Sequence, residues 1–299
     1  MIQDPIAVFD SGLGGLTVVQ QLLRHLPNER IVYFGDTARV PYGIKSAETV
    51  TRFVEEDIDF LLGFDPKLIV AACNTASATA LPRLTDRYPV PILGVVEPGA
   101  AAAISRTRNF RIGVIGTEAT IGSESYTRCI MCSNPSARVF AKACPLLVPM
   151  VEEGRDARDP LVLMALAEYL QPLKDAGIDT LVLGCTHYPL LKPGISDVLG
   201  EGVAIVDSAT QTAVNAVNLL HSRSLQATAA SDRKRPPARV RHRFFASDHP
   251  ERFAALGRRF LGQALESVEL VQPELMNGRC KLKAVGLTFT EMPVLAAGG

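Results

Sequence analysis

The sequence predicts an α/β fold on parallel sheets, and three observations carry that reading. Short β-branched runs alternate with longer helical stretches along most of the chain. The runs are near-continuously apolar, as strands are when helices cover both faces of their sheet. The first half of the pattern then recurs in the second.

In chain order, the first series of strands is IAVF (6–9), IVYFG (31–35), LIVAA (68–72) and ILGVV (92–96). The second is RIGVI (111–115), RVFAK (138–142), TLVLG (180–184) and VAIVD (203–207). The stretches LTVVQQLLRHL (16–26), AETVTRFVEEDIDFLLG (47–63) and DPLVLMALAEYLQPLKDAG (159–177) read as helices between them. Farther on, VRHRFFAS and ESVELV look like strands flanking a helix, ERFAALGRRFL (251–261); residues 272–299 carry no pattern that places an element. The recurrence has fixed offsets. Ile6 corresponds to Ile112, 106 residues on, and LIVAACNT matches LVLGCTH so that Cys73 corresponds to Cys185, 112 residues on. Two doubly wound units, each ending a strand in cysteine, account for both.

Composition narrows the function. A chain of 299 residues, 47% hydrophobic and 21% charged, has a sizeable core and room for one large domain or two ordinary ones. Lys+Arg and Asp+Glu balance at 31 each, so no global charge steers it to nucleic acid or an anionic membrane. Residues 222–243 are basic, with seven Lys/Arg, Asp232 as the sole acid and Pro236-Pro237 in the middle. They lack the aromatic interleaving of a nucleic-acid groove and read as a solvated loop. The start MIQDPIAVFD has no secretory pattern, and no run of about 18 apolar residues occurs. A cytoplasmic protein is expected. Its six cysteines are too few for a disulfide scaffold, which makes each a small buried hydrophobe or a reactive thiol.

Three segments can carry chemistry. In VFDSGLGGLTVV (8–19) a strand ends at Asp10, a Gly-rich turn follows and a helix begins near Gly15. Such a turn offers N–H groups to a carboxylate or phosphate. Its spacing fits neither dinucleotide nor Walker patterns, and the alternative is a plain βα turn with Asp10 capping the helix. In LIVAACNTASATAL (68–81), Cys73 ends a strand, with Asn74, Thr75 and Ser77 at helix-start positions. A positive helix end there is expected to lower the thiol pKa; the alternative is an inert buried cysteine. In TLVLGCTHYPLL (180–191), Cys185 again ends a strand, with Thr186 and His187 beyond it. All three lie where open α/β sheets place their ligands. Cys129-x-x-Cys132 resembles half a zinc site, but only Cys144 follows and no His is near, so no metal is assigned. Cys280 reads as bland. Two cysteines from two related half-chains suggest a symmetric task, with a proton removed from one face of a carbon and another supplied to the opposite face.

The motifs DSGLGGLTV (10–18), GDTARVPYG (35–43), ACNTASA (72–78) and GCTHYPLL (184–191) together resemble the glutamate racemases of the aspartate/glutamate racemase family. RIGVIGTEATI (111–121), CPLLVPMVEEG (144–154) and FFASDHPERFAALGRRFLG (244–262) are similar to the same family. The resemblance implies two flavodoxin-like domains facing each other across a cleft, 1–98 with 208–299 and 99–207. It implies a cofactor-independent interconversion of L- and D-glutamate that supplies D-glutamate for peptidoglycan. Cys73 and Cys185 would be the acid/bases, assisted by Asp10 and His187 respectively, with Glu152 or its neighbour Glu153 also implicated. Asp10, Ser11, Tyr42, Gly43, Asn74, Thr75, Thr186 and His187 would hold the substrate, and a homodimer is the implied assembly. Residues 222–243 and 272–299 depart from the family pattern without touching any of these positions.

Other readings make distinct demands. Aspartate racemases of the same fold typically carry Glu where His187 stands here. A single-cysteine hydrolase would leave Cys73 dispensable, and a carboxylate-binding module would keep its affinity with both cysteines replaced by serine.

Overall fold

The computed structural model describes residues 2–227, 242–265, 267–276 and 279–289. Their strands form two sheets. The first half-chain contributes β1 (Ile6–Asp10), β2 (Ile31–Gly35), β3 (Leu68–Ala71) and β4 (Ile92–Gly94). The second contributes β5 (Arg111–Gly116), β6 (Arg138–Ala143), β7 (Thr180–Gly184) and β8 (Ala204–Asp207). The chain then adds β9 (Arg243–Ala246), β10 (Val268–Met276) and β11 (Arg279–Phe289) to the first sheet. The two orders are β11-β10-β9-β2-β1-β3-β4 and β6-β5-β7-β8.

Both sheets therefore share the core order second-first-third-fourth, the flavodoxin-like winding. Register reproduces the repeat in detail. Ile6 pairs with Leu68 in one sheet and Ile112 with Thr180 in the other, which are the offsets of 106 and 112 expected from the sequence. β1, β2, β3 and β7 are fully buried, in keeping with their unbroken apolar sequences.

Helices start where the side chain just before them accepts their free N–H groups. Thr117 caps Glu118–Gly122, Asp159 caps Pro160–Asp175 and Asp207 caps Ser208–Ser222. The helix Val96–Arg106 carries the chain from the first sheet to the second, and Ser208–Ser222 carries it back. The return helix buries Ala209, Ala213, Ala216 and Leu220 in a core that also holds Leu16 and Val19 of the first half and Leu181 of the second.

Two expectations change. The strand expected over 92–96 ends at Gly94, because Val95 already turns into the helix Val96–Arg106. The tract 272–299, which showed no pattern, contributes the end of β10 and all of β11, antiparallel to each other. At Pro273 β10 pairs with β11 alone, beyond its Glu269–Leu270 pairing with β9, a one-sided position of the kind where sheets tolerate proline. Of the basic stretch 222–243, residues 228–241 lie outside the described residues, as do 290–299.

Candidate active site

The C-terminal ends of the two sheets face each other, and side chains cross between them. Thr75 Oγ1, just after β3, lies 2.9 Å from Thr117 Oγ1, just after β5. Thr186 Oγ1, after β7, donates to Asp10 Oδ1 at the end of β1 over 3.4 Å. The small cavity at this meeting, about 20 Å³, is lined by Ser11, Tyr42, Gly43, Cys73, Asn74, Thr75, Cys185, Thr186 and His187, together with Thr117 and Val40 among others. Nine of the residues singled out from sequence thus reach one space. Asp10 lies fully buried beside it, and Glu152 reaches it through His187.

The Gly-rich turn allows this approach. A Cβ on Gly14 would fall on Thr186 Oγ1 and within 2.7 Å of His187 Nδ1, so only glycine lets the loop after β1 seat against the loop after β7. Asp10 does not cap the following helix, which starts at Leu16 without a side-chain cap. Its Oδ2 accepts from Gly12 N at 3.0 Å, inside the turn. Burial raises the Asp10 pKa, against the opposing pull of His187 and the N–H groups of Gly15 and Gly12.

The surroundings of the two sulfurs differ. Cys73 Sγ accepts from Ala76 N at 3.5 Å and donates to Ser11 Oγ at 3.7 Å. The helix end was expected to lower this thiol, but burial, reinforced by the Asp10 charge, pushes it up to about 12. A six-residue helix offering one long hydrogen bond does not offset full desolvation. Cys185 Sγ instead lies 3.8 Å from His187 Nδ1, and His187 Nε2 lies 3.0 Å from Glu152 Oε1. Burial alone would depress the imidazole; hydrogen bonds to Cys185 and Glu152 outweigh it and raise His187 to about 10. Burial likewise works to raise Glu152, but the hydrogen bond and charge of His187 hold it below its ordinary value. An imidazolium therefore stands between a carboxylate and the Cys185 sulfur, and negative charge arising on that sulfur meets a hydrogen-bond donor. Glu153, the other candidate carboxylate, points to Arg155 at the surface.

Asn74 is buried, and its Oδ1 accepts from Tyr126 Oη at 2.6 Å. Its Nδ2 has no partner, an unsatisfied donor beside the cavity. Tyr42 lines the cavity, but its hydroxyl is turned to the buried carboxylates of Asp36 and Asp57. Sequence reasoning passed over Thr117 and Thr120, whose hydroxyls join Thr75 in a three-membered cluster. The repeat held the signal: with an offset of 106, Thr117 is the counterpart of Ser11. Among the described residues no group of three or more His, Cys, Asp or Glu is arranged for a metal. Cys129 and Cys132 lie on the helix Ser125–Ser133, whereas Cys144 is buried after β6.

Paired strand-end thiols at the meeting of two like-wound units define a class of protein built to move protons at a carbon held between them. The chain belongs to the Asp/Glu/hydantoin racemase family, whose pattern matches residues 11–217. It is 49% identical over 270 residues to a glutamate racemase of Geobacter metallireducens, covering 90% of this chain and 97% of the relative. Among solved structures it resembles a glutamate racemase isoform of Bacillus anthracis, with a TM-score of 0.82 and 40% identity over 91% of this chain and 98% of that one. It also resembles a Francisella tularensis glutamate racemase solved in complex with D-glutamate, with a TM-score of 0.83, 37% identity and the same coverage.

Proposed function

We propose that this protein interconverts L- and D-glutamate without a cofactor, by proton transfer between Cys73, the substrate α-carbon and Cys185, and so supplies D-glutamate for peptidoglycan. The observation that carries the reading is that both sulfurs, from equivalent strand ends, line one cavity with different partners. One sulfur, as thiolate, takes the α-proton and leaves a carbanion. The opposite thiol then gives its proton to the other face and becomes the thiolate. The reverse reaction exchanges the roles.

The raised pKa of Cys73 suits the proton donor. The imidazolium of His187 suits the receiving side, since it stabilises the anionic sulfur before transfer. Asp10 lies where its charge acts on Cys73. Among the described residues no Lys or Arg lines the cavity, so the substrate carboxylates would be held by neutral donors: the Asn74 amide, the hydroxyls of Ser11, Thr75 and Thr186, and backbone N–H groups about Tyr42 and Gly43. Glutamate as substrate rests on the relatives' activity and on His187, where aspartate racemases typically carry Glu.

The domains proposed are 1–98 with 208–299 and 99–207, a division supported by β9, β10 and β11 joining β1–β4 in one sheet while β5–β8 form the other. A homodimer is the assembly proposed, and the exposed Leu161 and Met164, one turn apart on a helix, offer it an apolar face. Free thiols at Cys73, Cys129, Cys132, Cys144 and Cys185 favour a cytoplasmic setting. No helix among the described residues is long and apolar enough to cross a membrane.

The test is exchange of the α-proton of L- and D-glutamate in D₂O with inversion, without added cofactor and with L-aspartate as control. Both should proceed with glutamate, and Cys73→Ser and Cys185→Ser should each cripple inversion. A folded protein that exchanges no glutamate would overturn the proposal.

A further inference from the structure

The helix Pro250–Leu261 packs on the first sheet's side of the molecule, beside the helix Leu16–His25 and β10. Two consecutive residues near its end nevertheless reach the Cys185 side of the cleft. Arg259 Nη1 donates to Val151 O at 3.1 Å, and its Nη2 donates to Arg155 O at 3.0 Å. Glu152 lies between those two carbonyls in the chain. The next residue, Phe260, is buried and meets the His187 ring edge to face, with centroids 5.4 Å apart and planes at 83°.

The local chemistry explains why an arginine stands there. The helix Leu147–Glu152 is six residues long, and its last carbonyls have no donors within the helix. The chain reverses at Gly154, with φ +94°, and Arg155 N returns to Met150 O at 3.1 Å. Gly154 N also donates to Val151 O at 3.0 Å, so the guanidinium is a second donor to Val151 O and ties that closed turn, through Arg155 O as well, to the helix Pro250–Leu261. A planar fork satisfies two carbonyls at fixed spacing, whereas an ammonium is a single point of attachment. Around the held pair, His187 faces Cys185, Glu152 and Asp10, and Glu152 also feels the charge of Arg252. None of these groups fixes the backbone that carries Glu152.

We infer that Arg259 and Phe260 are positioning residues for racemisation: one holds the backbone about Glu152 and the other the face of His187, so together they set the transfer of a proton at Cys185. The inference rests on the two-thiol reading above. Neither residue lines the cavity. Cys73 has no such support from this helix; its neighbours are Ser11 and Ala76. Loss of the clamp therefore slows one of the two proton transfers and spares the other.

The experiment is steady-state racemisation from each enantiomer, with and without deuterium at the α-carbon, for the parent, Arg259→Met, Arg259→Lys and Phe260→Leu. Arg259→Met should lower kcat about tenfold, the scale of a small misplacement of a reacting group, with KM little changed. Its α-deuterium effect should rise for the enantiomer whose proton Cys185 removes and fall for the other. Arg259→Lys should recover part of kcat. If Arg259→Met does not fold, Phe260→Leu must show the same opposed changes. Equal changes for the two enantiomers, or a defect confined to KM, would mean a general loosening of the cleft and overturn the inference. Cys185→Ser keeps the two failures apart. Normal racemisation by that variant overturns the two-thiol reading, whereas inactivity there with no enantiomer dependence in the Arg259 and Phe260 variants overturns only the positioning role.

Discussion

At the scale of single residues, Asn74 separates binding from chemistry. Tyr126 fixes the amide by donating to its oxygen, and the amide nitrogen is left without a partner. A hydrogen bond to a charged group contributes about 1.5–3 kcal/mol, so Asn74→Ala should raise KM for glutamate about 10–100-fold and change kcat less. A KM within twofold of the parent would remove Asn74 from the binding set. His187 makes a different prediction. Its pKa rises from 6.5 to about 10 on folding, so the stability it contributes is complete below 6.5 and lost as pH rises through 10. Glu152, whose pKa is lowered from 4.5, contributes in the opposite sense, above 4.5 and not below. The urea stability of the parent relative to His187→Asn should therefore shrink between about pH 6 and about pH 10. A difference that does not change with pH would mean that His187 is not held as an imidazolium. The sequence made Cys73, Asn74 and His187 visible by placing each within a few residues of the end of an apolar strand, whereas Glu152, at the end of a helix, was reached only through the family resemblance. It could not reveal that burial outweighs the helix end at Cys73, because desolvation depends on what covers the sulfur from the other half of the chain.

At the scale of elements, periodicity located the strands of both winding units, and the offsets of 106 and 112 anticipated the register. It misplaced what local pattern does not encode. β4 lost its last two expected residues to a helix start, and the β10–β11 hairpin was overlooked although Asn277-Gly278, a favoured hairpin-turn pair, stands between its strands. Pro273 and an exposed outer strand weakened the alternation there. Nor does any local pattern disclose the tie that holds the far end of the first sheet. Lys67, ahead of β3, is buried with its Nζ 2.6 Å from Glu29 Oε2 and 2.7 Å from the carbonyls of Ile2 and Leu225. Glu29 Oε1 accepts from Ala227 N, so the pair gathers three separate segments. Lys67→Met would strand a buried carboxylate and should destabilise the protein by about 3–5 kcal/mol in urea unfolding, with Glu29→Met in the same chain restoring most of the loss. Full additivity of the two substitutions would show that the ion pair is not coupled.

At the scale of the whole molecule, the two units meet too closely for the substrate to enter. A cavity of about 20 Å³ holds about one water molecule, far less than a five-carbon dicarboxylate requires. Turnover must therefore include an opening of the strand-end faces and a closure that excludes water around the carbanion. A second close contact, besides that of Gly14 with Thr186, is made where the loop after β2 meets the start of the second unit. A Cβ on Gly43 would lie 2.5 Å from Thr117 Cβ and 2.6 Å from its Cγ2. Gly43 has no positive φ, so alanine there strains the contact and not the backbone. Gly43→Ala should then prop the cleft apart by a fraction of an ångström and misalign both sulfurs with the α-carbon. The expected result is a fall in kcat of about 10–100-fold, with equal effects on the two enantiomers. Because the contact lies at the cleft rather than within either core, the thermal midpoint should move little. Thr117→Ser removes only Cγ2 of the atoms that the new side chain would strike and keeps the nearer Cβ, so in the Gly43→Ala background it should restore only a small part of the lost rate. If Gly43→Ala lowers the thermal midpoint as strongly as a core substitution, or leaves kcat unchanged, closure at this contact is not what limits the rate. The symmetry of this defect, set against the one-sided defect of the Arg259 variants, distinguishes closing the cleft from tuning one of its two acid/base groups.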